Sequence, residues 1–484
     1  MEAYFLGIDI GTQGARMVIL DSNGEVAAST EKNFGLDDQS REEQSPVMWW
    51  KACEECLLKL SAAKSNQKII SKIIAIAVTS TSGTVIPLDQ FHNPLHNAIM
   101  YSDKRSTPQG EKCISIATKN NVQGFTGFNS SSGLAKMIWF QETYPEKVNQ
   151  IAKWVHAADY ITGLLSGVWG VTDYTNAFKS GYDVNKLEWP AYLTTDLLIK
   201  KNWLPNVLPS GSVIGTIEPQ LAKKISLPKN IKIINGITDG CASQIASGAI
   251  RLGDWNTTIG TTMVIKGVTT KQLLDDEGRI YSHRHPAGYW MPGGASNTGA
   301  DWVTNEFGNN IEYLSEAAAK LIPSNNFSYP LRQKGERFPM LAPHAVGFEP
   351  AGLSMEEKFT ANMEGVAYLE RYAFELIKQF TQEDINAVYT AGGGSNNETW
   401  LKIRSNVLNL PIFKMKHISG AVGAAILAAS NTYFKSLIEA VAQMTCIEKE
   451  VYPEAILSNN YNNNYHKFIA LLTSKGYIKN KIHA

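Results

Sequence analysis

The chain has 484 residues, 44% of them apolar and 19% charged, and its 45 Lys and Arg balance 45 Asp and Glu. That length fits two domains of ordinary size, and the zero net charge excludes the basic excess by which proteins gather nucleic acid or anionic membranes. No basic leader with an apolar core opens the chain, and no stretch of membrane-spanning length is free of charge. A soluble, cytoplasmic enzyme is therefore expected, with neither nucleic acid nor membrane as a partner.

The first element is a predicted β-hairpin. Tyr4 to Ile10 and Gly14 to Asp21 are strand-like runs around the polar turn Gly11-Thr12-Gln13, with Asp9 near the end of the first strand. Small residues let backbone N–H groups approach an anion, and Thr12 and Gln13 add side-chain donors. Asp9 would then face the accompanying cation, and a lone carboxylate of this kind suits Mg²⁺. A Gly-rich turn with an incidental Asp reads the same way locally. What favours the phosphate-site reading is a second copy, Asp254 to Lys266, in which Gly260-Thr261 again separates two strand-like runs. Two such hairpins could hold a polyphosphate between two lobes.

In chain order, Val26 to Thr30 reads as a strand and Trp49 to Leu60 as an amphipathic helix. Ile73 to Val78 reads as a buried central strand ending in Thr79-Ser80-Thr81-Ser82-Gly83-Thr84. Hydroxyls at the carboxyl end of such a strand lie where open α/β sheets bind ligands, although an ordinary polar turn fits equally. Tyr101-Ser102-Asp103-Lys104-Arg105 is either a solvated ion pair or a sugar site with an acceptor carboxylate. The five cysteines, Cys53, Cys56, Cys113, Cys241 and Cys446, are odd in number and scattered, which argues against a disulfide framework.

Helices are predicted over residues 134–143 and 145–165, with Tyr174 to Ala177 in a loop. Ile231 to Thr238 is a strand that breaks at Asp239-Gly240 before a helix from Cys241 to Ala249. Asp239 can be a helix-capping acid or, at a junction between lobes, a general base. Tyr289 to Gly299 reads as an irregular loop, Met355 to Gln379 as a long helix, and Ala387 to Ala391 as a buried strand entering Gly392-Gly393-Gly394-Ser395-Asn396. Three glycines let a flat ring or a phosphate lie on the backbone, but the spacing is not that of a dinucleotide fingerprint. Ile418 to Ala429 is a small-residue helix, and Asn459 to Asn464 reads as a loop.

Taken together, Asp9-Ile10-Gly11-Thr12, Tyr101-Ser102-Asp103-Lys104-Arg105, Thr238-Asp239-Gly240, Ile259-Gly260-Thr261-Thr262, Gly335-Glu336-Arg337-Phe338-Pro339, Met363-Glu364-Gly365-Val366 and Gly392-Gly393-Gly394-Ser395-Asn396 resemble, in this order, the FGGY carbohydrate kinase family. The resemblance implies an α/β protein of two ribonuclease-H-like domains of the actin and sugar kinase class with a cleft between them. Residues 1–245 would carry the sugar site and the base, and residues 246–484 the ATP site. By the same resemblance Asp239 is the catalytic base, Asp9 the acid that holds Mg²⁺, and Asp9, Ser82, Asp103 and Asp239 contact the sugar. Gly11, Thr12, Gln13, Gly260 and Thr261 hold the phosphates of ATP, Gly393, Gly394, Ser395 and Asn396 hold the adenosine, and Arg16 helps to neutralise charge.

Xylulose kinases carry a His-containing run where this chain has Ser80-Thr81-Ser82-Gly83. Tyr281-Ser282-His283-Arg284 and the Ser82 region look more like family members that act on D-ribulose. D-Ribulose is therefore the expected substrate, with D-xylulose or another ketose or polyol as the alternative. An actin-like ATPase without a sugar acceptor is the rival of another class, and a homodimer is left open.

Overall fold

The computed structural model describes residues 2–120 and 127–478. It forms two compact units, Met1–Gly248 with His283–Gly288 and His417–Thr445, and Ala249–Ser282 with Tyr289–Lys416 and Cys446–Ala484.

In the first unit the central sheet runs Val26–Asn33, Gly14–Asp21, Tyr4–Ile10, Ile73–Ser80, Lys232–Thr238 and Val213–Thr216. Each of the first three strands is antiparallel to its neighbour, as hairpin connections require, whereas Tyr4–Ile10, Ile73–Ser80 and Lys232–Thr238 are parallel. Every residue of Tyr4–Ile10 is buried, the mark of a strand covered on both faces. One cover is the helix Pro46–Ala62, whose Trp49, Cys53, Cys56, Leu57 and Leu60 join the strand side chains in one core. The helix Gly420–Ser430, buried at every position, also packs on this strand. A Cβ on Gly7 would lie 1.8 Å from the Ala421 carbonyl oxygen, so only glycine permits the approach.

The second unit repeats the plan. Trp290–Ala295, Met263–Gly267, Asp254–Ile259, Ala387–Ala391 and Ile412–Met415 follow one another in the sheet, the first pairs antiparallel and the last two parallel. Each sheet therefore has its hairpin turn in the same topological place. A buried ion pair ties the middle of this sheet to its helices. Arg404 Nε and Nη2 donate to Glu370 at 2.7 and 2.8 Å, and Nη1 donates to Thr390 Oγ1 at 2.7 Å, two residues before Gly392.

Four local expectations are overturned. Lys153–His156 is a strand inside the predicted helix 145–165, because Trp154 and Val155 pair with Ile86 and Pro87. Tyr174–Lys179 is a helix, capped by Asp173. Trp290–Ala295 is a strand, since its neighbour Met263–Gly267 offers an edge that pattern alone does not reveal. Asn459 to Asn464 lies within the helix Ala455–Ser474, where Asn464 Nδ2 donates to the Ser324 carbonyl at 2.7 Å and Asn462 accepts from Arg371 at 2.7 Å. Asparagine is a poor helix former, and tertiary hydrogen bonds override the propensity.

Glu364, a motif residue, is wholly buried and accepts from Ser324 N–H and Tyr461 OH, each at 2.9 Å. Burial outweighs these donors and pushes its carboxyl up to about 7 from an ordinary 4.5. Because the folded chain holds this proton more tightly than the unfolded one, stability declines as pH rises from about 4.5 to 7 and is flat above. Glu364→Gln is expected to remove that decline, about 3 kcal/mol at most. Thermal melts at pH 5 and pH 8 check it: the variant gains on the parent by a few degrees between the two, and a constant difference refutes the assignment.

Candidate active site

Asp9 and Asp239 emerge from neighbouring parts of the first sheet. Asp9 sits opposite Arg16 in the hairpin ladder and beside Thr79 of the adjacent parallel strand. It is 8% exposed, and its Oδ1 is buried without a hydrogen-bond partner among the described residues. A Cβ on Gly420 would lie 3.0 Å from Asp9 Oδ2, so the start of that helix closes over the carboxylate. Burial, and then the charge of Asp239, pushes the Asp9 carboxyl up to about 6, with Arg16 opposing. Arg16 is 47% exposed and pairs with Glu31 at 3.4 Å. Asp239 begins the helix Asp239–Ala246 directly after the strand Lys232–Thr238, and its Oδ1 accepts from Gly240 N–H at 2.7 Å. The N-cap residue of that helix is Thr238, which makes no side-chain capping bond; Asp239, at the first helical position, satisfies the Gly240 N–H of the first turn.

The turn at Gly11 is closed by its N–H donating to the Gly14 carbonyl at 3.0 Å. A relay from the adjacent helix fixes it further, because Trp49 Nε1 donates to Gln44 Oε1 at 2.9 Å and Gln44 Nε2 donates to the Thr12 carbonyl at 3.0 Å. Thr12 is half-buried and Gln13 exposed.

Ser82 follows the strand Ile73–Ser80, and its Oγ, like that of Ser80, is buried with no partner among the described residues. Asp103 is 1% exposed and is no surface acid. Arg105 Nε reaches its two oxygens at 3.1 and 3.0 Å, and Nη2 reaches Oδ2 at 2.7 Å. The same guanidinium bonds Glu43 at 2.7 Å and lies 4.3 Å over the Trp139 ring. This acid is committed to holding its own turn, which weakens the expectation that it binds a sugar. Sequence reasoning missed Lys136, wholly buried beside this group, whose ammonium donates to the Ser130 carbonyl. Burial pushes its pKa down to about 7, against the attraction of Asp103. Only its apolar neighbours, Leu134 to Phe140, hint in sequence that it lies inside.

In the second unit, Gly260 N–H donates to the Thr262 carbonyl at 3.0 Å, the counterpart of the Gly11 turn. Gly392 has φ +86°, and a Cβ there would lie 2.4 Å from the Ile259 carbonyl, so this glycine locks the end of one strand against the next. Beside it opens a cavity of 1150 Å³ lined by Gly260, Thr261, Gly393, Gly394 and Asn396, with Phe359 and Trp400 in its wall. Ser395 is 2% exposed and spends its hydroxyl on the Gly392 carbonyl at 2.6 Å, so it locks the turn and does not line the cavity. Among the described residues the lining carries the carboxyls of Asp301, Glu312, Glu316 and Glu398 and no Lys or Arg. It suits an uncharged ring with hydroxyls to donate and disfavours phosphate, which leaves the phosphates to the Gly260 turn at its edge.

Residues 4–246 match the N-terminal domain, and residues 255–432 the C-terminal domain, of the FGGY family of carbohydrate kinases. The chain belongs to this family. FGGY carbohydrate kinases are ATP-dependent phosphotransferases acting on sugar hydroxyls, and this chain is one. It is 27% identical to xylulose kinase of Bacillus subtilis over 480 residues, 93% of each chain, and 25% identical to gluconokinase of the same organism over 92% of this chain and 90% of the relative. A ligand-bound xylulose kinase from Lactobacillus acidophilus has the same fold, with a TM-score of 0.83 at 24% identity over 98% of both chains. No described helix of this FGGY kinase is long and apolar enough to cross a membrane.

Asp9 fits Mg²⁺ by its chemistry. It is one carboxylate with a buried oxygen still unpaired, and no group of three or more His, Cys, Asp or Glu among the described residues could hold a metal without other ligands. Mg²⁺ at kinase sites is held in just this way, by one or two carboxylates with phosphates and water.

Proposed function

We propose that this FGGY kinase phosphorylates the primary hydroxyl of a ketopentose, with residues 1–245 carrying the sugar site and the base and residues 246–484 the ATP site, in the cytoplasm. Asp239 takes the proton of the hydroxyl as that oxygen bonds to the γ-phosphorus of ATP and the bond to the β-phosphate oxygen breaks, releasing ADP. Thr12, Gln13, Gly260 and Thr261 hold the phosphates, and Gly393, Gly394 and Asn396 the adenosine. Mg²⁺ at Asp9 would supply charge neutralisation on the phosphates. The observation that carries the reading is the pairing of two carboxylates, a half-buried Asp239 whose charge is felt by a buried Asp9 with an unpaired oxygen.

D-Xylulose leads among the ketopentoses, because several of the relatives are named xylulose kinase. The preference for D-ribulose finds no support in those names and takes second place. It rests on the likeness of the Ser82 region and of Tyr281-Ser282-His283-Arg284 to family members that act on D-ribulose, and the buried unpaired Ser82 hydroxyl is a ready partner for an oxygen of either sugar.

ADP release with ATP and Mg²⁺ is measured against D-xylulose, D-ribulose, L-ribulose, ribitol, glycerol and D-gluconate. Turnover that depends on a ketopentose is expected, and turnover with D-gluconate alone or without any acceptor overturns the proposal. Ser82→Ala is expected to raise the ketopentose KM by about 3- to 10-fold, the worth of one neutral hydrogen bond, with the KM for ATP unchanged. An unchanged sugar KM removes Ser82 from the site.

A further inference from the structure

We propose that Thr175 and Thr79 are positioning residues that aim Asp239 by gripping the two ends of one peptide unit, with Asp173 setting the direction of the grip. The inference rests on the reading of Asp239 as the base. The peptide unit in question joins Ile237 to Thr238, one residue before Asp239. Its carbonyl accepts from Thr79 Oγ1 at 2.7 Å, and its N–H donates to Thr175 Oγ1 at 2.9 Å. All of these groups are buried, with Thr79 and Thr175 at 0% exposure.

On one side the parallel strand Ile73–Ser80 runs alongside, with Ile237 opposite Thr79 and Thr238 opposite Ser80, and the Thr79 hydroxyl adds to that ladder. The edge strand Val213–Thr216 pairs with Lys232–Ile234 and reaches no further, so on the other side the Thr238 N–H has no strand opposite it. A side chain from 63 residues away in sequence takes the place of a strand.

A threonine hydroxyl has one proton to give, and whether it donates to or accepts from a neighbour is decided by where that proton goes. Here it goes to Asp173 Oδ2 at 2.7 Å, which leaves the lone pairs of Thr175 for the Thr238 N–H. Asp173 is wholly buried and also accepts from Thr175 N–H at 2.7 Å, Asn176 Nδ2 at 2.6 Å and Ser210 Oγ at 2.8 Å. Capping the short helix Tyr174–Lys179 needs only its backbone donors. The side-chain donors are surplus to that task, and they hold the carboxylate where it orients Thr175. With both polar ends of the 237–238 peptide held, its plane is fixed, and this narrows the directions in which Thr238 can hand the chain on to Asp239. A tilt small enough to leave substrate binding intact is costly for a proton transfer that needs a near-attack geometry.

The experiment is steady-state kinetics of the full chain with ATP, Mg²⁺ and D-xylulose or D-ribulose, whichever supports turnover. Thr175→Val keeps shape and removes the hydroxyl; Thr175→Ser restores it. The valine variant is expected to lose about 10- to 100-fold in kcat with both KM values within about two-fold, and the serine variant to return to within about two-fold of the parent. Thr79→Val, which removes the hydroxyl bond at the other end of the same peptide, gives the same split and serves if Thr175→Val does not fold. In an Asp239→Asn background, Thr175→Val changes kcat by less than about two-fold, because no base remains to be aimed. Parent-like kcat in both valine variants while Asp239→Asn is inactive overturns the inference alone. So does an equal loss in Thr175→Ser, or an undiminished loss in the Asp239→Asn background. A fully active Asp239→Asn overturns the reading beneath it.

Discussion

Asp239→Asn is expected to lower kcat by about 10²- to 10⁴-fold while the ketopentose and ATP still bind with near-parental affinity. Asparagine fills the same volume and keeps an acceptor oxygen, so contacts to a bound sugar survive, but it cannot take a proton at neutral pH. General-base catalysis by a positioned carboxylate is worth about that factor, and it is realised only as the hydroxyl oxygen gains its bond to phosphorus. The change therefore falls on kcat and kcat/KM together, and a dissociation constant for the sugar, measured by calorimetry, stays within a few-fold. Near-parental turnover would remove Asp239 from the mechanism, and a collapse of sugar binding with kcat preserved would make it a binding residue only.

Asp9→Asn is expected to do two opposite things. Turnover falls by at least about 10²-fold and is not recovered by raising Mg²⁺, because the charged oxygen that would hold the ion is gone. In the absence of ligands the same variant is more stable than the parent at neutral and alkaline pH. The parent carboxyl has an ordinary value of 3.8 and is pushed up to about 6 in the folded chain, chiefly by burial and then by Asp239. The folded form prefers the proton, so the stability that goes with the protonated acid is present below about pH 4 and is lost as pH rises through about 6. That difference in proton affinity is worth about 3 kcal/mol, which is the upper limit of the gain at pH 8. Melting temperatures across pH 4 to 8 for both proteins check this. A difference that does not grow with pH, or a variant that turns over normally, refutes the role given to Asp9.

Much of the candidate site is legible in the amino-acid pattern. Asp9, Gly11 and Thr12 declare themselves by a strand that ends in an acid and a glycine turn, and Gly260-Thr261 repeats the pattern. Thr238-Asp239 follows the isoleucine-rich run Ile231 to Ile237, which marks the carboxyl end of a strand. Ser395 is legible as part of a glycine turn, but its inward hydroxyl is not, because rotamer and partner depend on the Gly392 carbonyl it finds there. Asp103 shows as an acid beside a base; that Arg105 takes both its oxygens and that Asp103 itself is buried depend on Trp139 and Glu43, far away in the chain.

The sequence by itself determined what is local: which runs alternate or stay apolar long enough to be strands, where glycine must turn the chain, and which acids stand at strand ends. Those features follow from the period of side-chain placement and from φ preferences, which a few adjacent residues settle. Only the tertiary structure decided that 417–445 returns to cover the first strand, that Lys153–His156 is a strand, that Asp9 holds its proton to about pH 6, and that Thr175 grips the peptide before Asp239. Each of these depends on what is packed against a group and how much water it loses, and desolvation and hydrogen bonding across many tens of residues leave no trace in local pattern.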